Sequence, residues 1–271
     1  MTDRNSRFEP AGRSALVTGG AQGLGFGIAG RLLAWGVDVT IFDKDGEALA
    51  AAVEALAGAG AGRLASVQGD VRSSADIRAA FDAAASAHGE VDLLVNNAGW
   101  ANIVPLVELE EDDWDAVLGV CLTGTFLCTR ELARREGSGG AVVNMSSQNA
   151  QSATTGLAHY CAAKAAIEQF TRVAALELAG RGTRVNAVAP GFIRTPLSEQ
   201  GFASGPMADA FLARTPLGRF GEVDDVAEAV ALLCSTATRW VTGAVLPVDG
   251  GAHIRGLHDY LAVTGGCARQ P

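Results

Sequence analysis

The run Ala158-His159-Tyr160-Cys161-Ala162-Ala163-Lys164 sets a phenol and an ammonium four residues apart. On a helix that step puts both side chains on one face, about 6 Å apart at Cβ. A phenol ordinarily holds its proton to pH ~10, and an adjacent cation favours the phenolate. Such a pair can move a proton near neutral pH. Tyr-x-x-x-Lys by itself is common on surface helices, but this chain has only two tyrosines, so the spacing is not background. His159 projects about 100° around the helix from Tyr160 and reads as a generic, partly exposed histidine. Cys161 reads as packing. The weight of the pair rests on the elements that position it.

Short β-branched runs alternate with Ala/Leu-rich helical stretches along the whole chain. Strands are expected at Ala15–Val17, Val37–Phe42, Ala65–Val67, Val91–Val95, Ala141–Met145, Val185–Val188 and Ala244–Val248. Helices are expected near 24–35, 46–58, 74–87, 111–135, 155–179 and 223–235. Seven strands alternating with helices predict an α/β fold, a single doubly wound (Rossmann) domain with a seven-stranded parallel sheet and helices on both faces. No linker-like break divides it. Residues 1–12 form a polar tail, 13–252 the domain and 253–271 an extension with His253, His258 and Tyr260 to which the sequence gives no role. Residues 192–221 carry Pro196, Pro206 and Pro216 between a strand and a helix, as a lid over a substrate pocket would.

Bulk properties exclude several classes. A formal charge of −9 over 271 residues argues against a surface for nucleic acid or an anionic membrane, which would need a basic patch. The cysteines (Cys121, Cys128, Cys161, Cys234, Cys267) are scattered, with no Cys-x-x-Cys pair, so neither a zinc site nor a disulfide framework is expected. No bound metal is expected. The polar start lacks a signal-peptide core and no run looks like a membrane helix, so the expected location is cytoplasmic.

The first strand runs into Thr18-Gly19-Gly20-Ala21-Gln22-Gly23-Leu24-Gly25 and then a helical pattern. A glycine-rich turn there aims backbone N–H groups and the helix N-terminus at a pyrophosphate. Gly25-Phe26-Gly27-Ile28-Ala29-Gly30 also matches Gly-x-Gly-x-x-Gly, but it starts too far from the strand; Gly27 and Gly30 read as packing glycines against the sheet. Asp43 ends the second strand. A carboxylate there can accept from both adenosine ribose hydroxyls and repels a 2′-phosphate, which favours NAD over NADP, although Lys44 could soften the repulsion. Asp45 is the better helix cap. Asp70, with Val71 beside it, ends the third strand on the same edge and either meets adenine or caps the helix beginning near Ser73.

Taken in order, these motifs resemble the short-chain dehydrogenase/reductase family over residues 12–252. Thr18-Gly19-x-x-x-Gly23-x-Gly25 is similar to its cofactor loop, and Asn96-Asn97-Ala98-Gly99 to its Asn-Asn-Ala-Gly element. Ser147 lies 13 residues before Tyr160, as the family's catalytic serine does; Ser146 is the alternative that spacing disfavours. Pro190-Gly191-Phe192-Ile193-Arg194-Thr195 resembles the segment that meets the nicotinamide, and Asp249-Gly250-Gly251 the closing motif. One position departs: where the family usually has Asn, this chain has Cys121, a weak hydrogen-bonding group that puts the usual proton relay in doubt.

The resemblance implies hydride transfer between NAD(H) and a secondary alcohol or ketone. Ser147, Tyr160 and Lys164 are the implied catalytic residues. Gly19, Gln22, Gly23, Leu24, Gly25, Asp43, Asp70, Val71, Asn97, Gly99, Tyr160, Lys164, Ile193 and Thr195 are the implied cofactor contacts. Ser147, Asn149, Tyr160 and Phe192 are the substrate contacts. Gln148, Asn149, Gln151, Trp100 and Asn102 make that neighbourhood partly polar, which suits a sugar or polyol. A homotetramer or homodimer is the family expectation. The rival readings are an NADPH-dependent carbonyl (oxoacyl-type) reductase and a non-catalytic NAD-binding protein.

Overall fold

The computed structural model describes residues 9–10, 13–135, 139–195 and 204–254. Three strand–helix units open the chain. Ser14–Thr18 (β1) leads to Gly23–Ala34 (α1), Asp38–Asp43 (β2) to Gly46–Leu56 (α2), and Leu64–Gln68 (β3) to Ser74–His88 (α3). Leu93–Asn96 (β4) is followed by Glu111–Leu118 (α4) and Gly124–Arg134 (α5), then Gly140–Met145 (β5), Ala158–Leu178 (α6) and Thr183–Pro190 (β6). Ile193–Arg194 (β7), Gly205–Arg214 (α7), Gly221–Glu222 (β8), Val223–Leu233 (α8) and Val245–Val248 (β9) complete it. All seven expected strands and six expected helices are present.

The main sheet is parallel throughout, in the order β3-β2-β1-β4-β5-β6-β9. Chain order reverses between β1 and β4, which opens a crevice beyond their carboxyl ends. Two-residue alternation divides the strands between two cores. Ala15, Val17, Leu93, Val95, Ala141 and Val143 pack under α1, α2 and α8. Leu16, Leu94 and Val142 point the other way, toward α3, α5 and α6. Both faces are therefore covered, as a parallel sheet requires.

The caps follow the side-chain chemistry. Asp45 caps α2, its Oδ1 accepting from Glu47 N and Ala48 N. Ser73, not Asp70, caps α3. Two helical spans differ from expectation. The stretch expected at 111–135 is broken by a π-helical turn at Gly119–Thr123, which carries Cys121. The helix expected from 155 begins at Ala158, after Gly156 takes a left-handed φ of +81°. The composite helix Glu111–Arg134 is long and apolar enough to cross a bilayer by length and composition alone, with 39% of its apolar window buried inside the protein. Of the expected lid, residues 196–203 lie outside the described part, as do most of the N-terminal tail and of the 253–271 extension.

Candidate active site

Thr18 and Asn97 build the floor of the glycine turn. The Thr18 hydroxyl accepts from Asn97 N and Ala98 N, both at 3.0 Å, and the Asn97 side-chain amide donates to Thr18 O and Gly19 O. Gly19 and Gly23 have φ of +61° and +54°, where a side chain would be strained. Gly25 lies inside α1, where a Cβ would fall 2.0 Å from Gly19 O and 2.5 Å from Asn97 Nδ2. It lets the helix start press onto the turn and does not itself line the cleft. Gly27 and Gly30 pack against helices, not the sheet: a Cβ there would meet Val223 on α8 at 2.1 Å and Leu56 on α2 at 3.2 Å.

A cleft of about 970 Å³ opens over this turn. Gly19, Gln22, Gly23, Leu24, Asp43, Asp70, Val71, Asn97, Gly99, Ser147, Tyr160, Lys164, Ile193 and Thr195 all line it. These come from the carboxyl ends of six strands, β1 to β6, and from α6. Gln22, the N-cap of α1, makes no side-chain cap, and no acidic residue sits in that helix's first turn. The helix N-terminus thus keeps donors and partial positive charge for an anion. The Asp43 carboxylate accepts from Ala21 N and Asp45 N, both at 3.2 Å, which fixes its direction at the end of β2. Asp70 is gripped by the Arg72 guanidinium, which holds its carboxyl below the ordinary range. A glycine turn, a bare helix N-terminus and an aimed acid beside a cleft this size fit a dinucleotide.

At the other end, Lys164 is buried, and its Nζ donates to Met145 O at 2.7 Å and lies 5.4 Å from the centre of the Tyr160 ring. Ser147 is also buried. Its Oγ accepts from Asn149 N at 3.1 Å and donates to Asn149 Oδ1 at 3.3 Å, a long bond that another acceptor can replace. Cys121, fully buried, offers its thiol to Trp100 O at 3.7 Å. A Cβ on Gly99 would sit 3.4 Å from Cys121 Sγ and 3.5 Å from Lys164 Nζ, so the atypical cysteine flanks the lysine's end.

The polar residues counted toward the substrate are mostly engaged with the protein. Asn149 Nδ2 donates to Thr154 Oγ1 at 2.7 Å, and Gln151 Nε2 reaches both oxygens of the buried Glu168. Asn102 pairs with His159. Phe192 stacks on Phe211 of α7 at 4.2 Å and leans on Phe220 at 4.8 Å, anchoring the described end of the lid segment. Neither Asn149 nor Phe192 lines the cleft. His159 is fully buried, contrary to the partly exposed side chain expected from its helical angle. Periodicity shows the direction a side chain leaves a helix, and Asn102, which this one meets, lies 57 residues away in sequence.

Two groups that sequence reasoning missed brace the site. Asn96 Nδ2 donates to Thr129 Oγ1 and Asn144 Oδ1, and Asn144 Nδ2 donates to Thr171 Oγ1, tying α5, β4, β5 and α6 together. Glu168 accepts from Ser146 Oγ at 3.1 Å, holding the strand end that carries Ser147 against α6. The signal was an Asn or Glu among apolar positions. Among the described residues no cluster could hold a metal ion, and the described cysteines are free.

Comparison with known proteins follows the same outline. Residues 19–253 match the profile of a family described as enoyl-(acyl carrier protein) reductase. D-threitol dehydrogenase of Mycolicibacterium smegmatis is 39% identical over 250 residues, 92% of this chain and 95% of that protein. A 3-oxoacyl-(acyl-carrier-protein) reductase of Staphylococcus aureus is 36% identical, covering 89% and 98%. Among solved structures, a 2-deoxy-D-gluconate 3-dehydrogenase candidate of Agrobacterium tumefaciens with bound NADP is 35% identical with a TM-score of 0.84, covering 92% and 99%.

Proposed function

The chain belongs to the short-chain dehydrogenase/reductase family, and we propose that it interconverts a secondary alcohol and its ketone with NAD(H), a polyol or sugar being the favoured substrate class. The observation that carries this reading is one cleft lined by Ser147, Tyr160 and Lys164 together with the glycine turn and Asp43. The nicotinamide, when bound, supplies the acceptor or donor of the hydride. Gly19, Gln22, Gly23 and Leu24 would hold its pyrophosphate, and Ile193, Thr195, Asn97 and Gly99 its nicotinamide half. Asp43 would accept from the adenosine ribose hydroxyls, with Asp70 and Val71 beside the adenine.

Tyr160 takes the hydroxyl proton in oxidation and returns it in reduction. The Lys164 ammonium lies 5.4 Å from the centre of the Tyr160 ring, which sets a cation beside the group that handles the proton. Ser147 turns its hydroxyl from Asn149 to the substrate oxygen, where charge develops; a donor so placed is worth about 10²–10³ in rate. Holding alcohol and cofactor in one cleft makes the step effectively unimolecular. The threitol-oxidising relative supports the polyol class, while the internal pairing of Asn102, Asn149 and Gln151 leaves few protein groups to meet extra hydroxyls.

A second reading, NADPH-dependent carbonyl reduction, is favoured by Lys44 lining the cleft next to Asp43 and by the neighbour that binds NADP. Steady-state kinetics over polyols, sugars and cyclic alcohols with each cofactor separate the two. The proposal expects kcat/KM at least about tenfold higher with NAD⁺, the effect of roughly 1.4 kcal/mol of charge repulsion. Preference for NADP⁺ supports the second reading. Tight NAD⁺ binding without turnover on any alcohol returns the non-catalytic alternative.

A further inference from the structure

We infer that His159 is a positioning residue that sets the alcohol pocket by tying the Trp100 loop to the helix carrying Tyr160. The inference rests on the dehydrogenase reading of the same cleft. His159 has no exposed surface, and its Nε2 lies 2.8 Å from Asn102 Oδ1. A carbonyl oxygen only accepts, so Nε2 carries the proton. The other ring nitrogen, Nδ1, is buried without a hydrogen-bond partner. A bare buried nitrogen works against stability. On packing alone a leucine would suit this hole better; what histidine adds is the bond to Asn102.

That bond joins the two sides of the proposed pocket. Asn102 follows Trp100 and Ala101, which line the cleft, and His159 precedes Tyr160, which also lines it. Residues 97–105 form no helix or strand. Beyond Ala98 they are held by the weak thiol contact from Cys121 to Trp100 O, by Val104 N donating to Gly156 O at 2.9 Å, and by His159. Among the described residues, His159–Asn102 is the one link between side chains in that stretch. Of this loop, Asn97 and Gly99 serve the proposed cofactor half, and Asn97 is fixed separately by Thr18 and Gly19, so a cut at Asn102 should loosen alcohol binding and leave NAD⁺ binding largely unchanged.

The test is a set of variants read two ways. His159→Leu and Asn102→Ala each raise KM for the alcohol about tenfold or more, since misplacements near 1 Å can cost up to ~10², with kcat and the Kd for NAD⁺ little changed. The double variant is no worse than either single one. His159→Gln, whose amide N–H can reach Asn102, restores KM. In cofactor-free protein, amide exchange over 100–104 speeds up in His159→Leu and Asn102→Ala, recovers in His159→Gln and is unaltered in α1. Exchange reads the clamp without turnover, so an enzyme inert toward every alcohol sinks the dehydrogenase reading while the clamp is still decided. An unchanged KM or unchanged exchange in His159→Leu, or a defect that His159→Gln fails to repair, overturns the inference.

Discussion

The two ends of the cleft are made in different ways. At the proposed nucleotide end, shape comes from backbone: two left-handed glycines, a helix start seated on Gly19 O, and an acid aimed by two amide N–H groups. At the proposed alcohol end, shape comes from side chains of separate loops, with Ser147 held through Asn149, Asn102 through His159 and the β5 end through Glu168. Backbone geometry accommodates few residue types, whereas side-chain pairs can be exchanged. The first arrangement suits a cofactor of fixed shape, and the second suits an end whose ligand differs from one relative to another.

The contrast predicts unequal damage. Gly25→Ala places a methyl group against a carbonyl oxygen and an amide that cannot both withdraw. It should cost about 3 kcal/mol of stability and weaken NAD⁺ about 10²-fold, read by calorimetry. Asp43→Ser removes the aimed charge but keeps the turn; the NAD⁺ over NADP⁺ ratio of kcat/KM should fall about 10-fold or more. Asn144→Ala cuts the buried ladder beneath both ends, removing one hydrogen-bond partner each from Asn96 and Thr171. A loss of about 1–3 kcal/mol in denaturant unfolding is expected, with activity per folded molecule retained. Phe192→Leu, outside the cleft lining but stacked on Phe211 and Phe220 of the lid segment, should cost less than about 1.5 kcal/mol, as apolar swaps of similar size do. Should Phe192→Leu prove as damaging as Gly25→Ala, the contrast between the two ends is wrong.

The same division explains what the sequence disclosed. Strand positions, helix spans, the Gly19–Gly25 turn and the Tyr160–Lys164 step are local patterns, set by period and by φ, and they are legible without tertiary contacts. Asp45 as a cap belongs with them. The Asn96–Asn144–Thr171 ladder is not, because its members come together only through the order of β4 and β5 and the placement of α6. Nor could a helical angle tell that His159 would be buried and paired with Asn102, or that Gly27 would meet Val223 on α8 instead of the sheet. The π-helical turn at Cys121 has no sequence signal that we can name.

In the proposed mechanism the Tyr160 hydroxyl handles the proton, while the glycine turn and the other cleft residues carry most of the hold on the cofactor. Tyr160→Phe removes that oxygen and keeps the ring on α6. The decisive measurement pairs the turnover of this variant with its affinity for NADH by fluorescence titration. The account predicts turnover reduced by at least about 10³-fold, within the range for losing a general acid–base group, with NADH affinity within threefold of the unmodified protein. Substantial turnover in Tyr160→Phe, with NADH bound as usual, would contradict it.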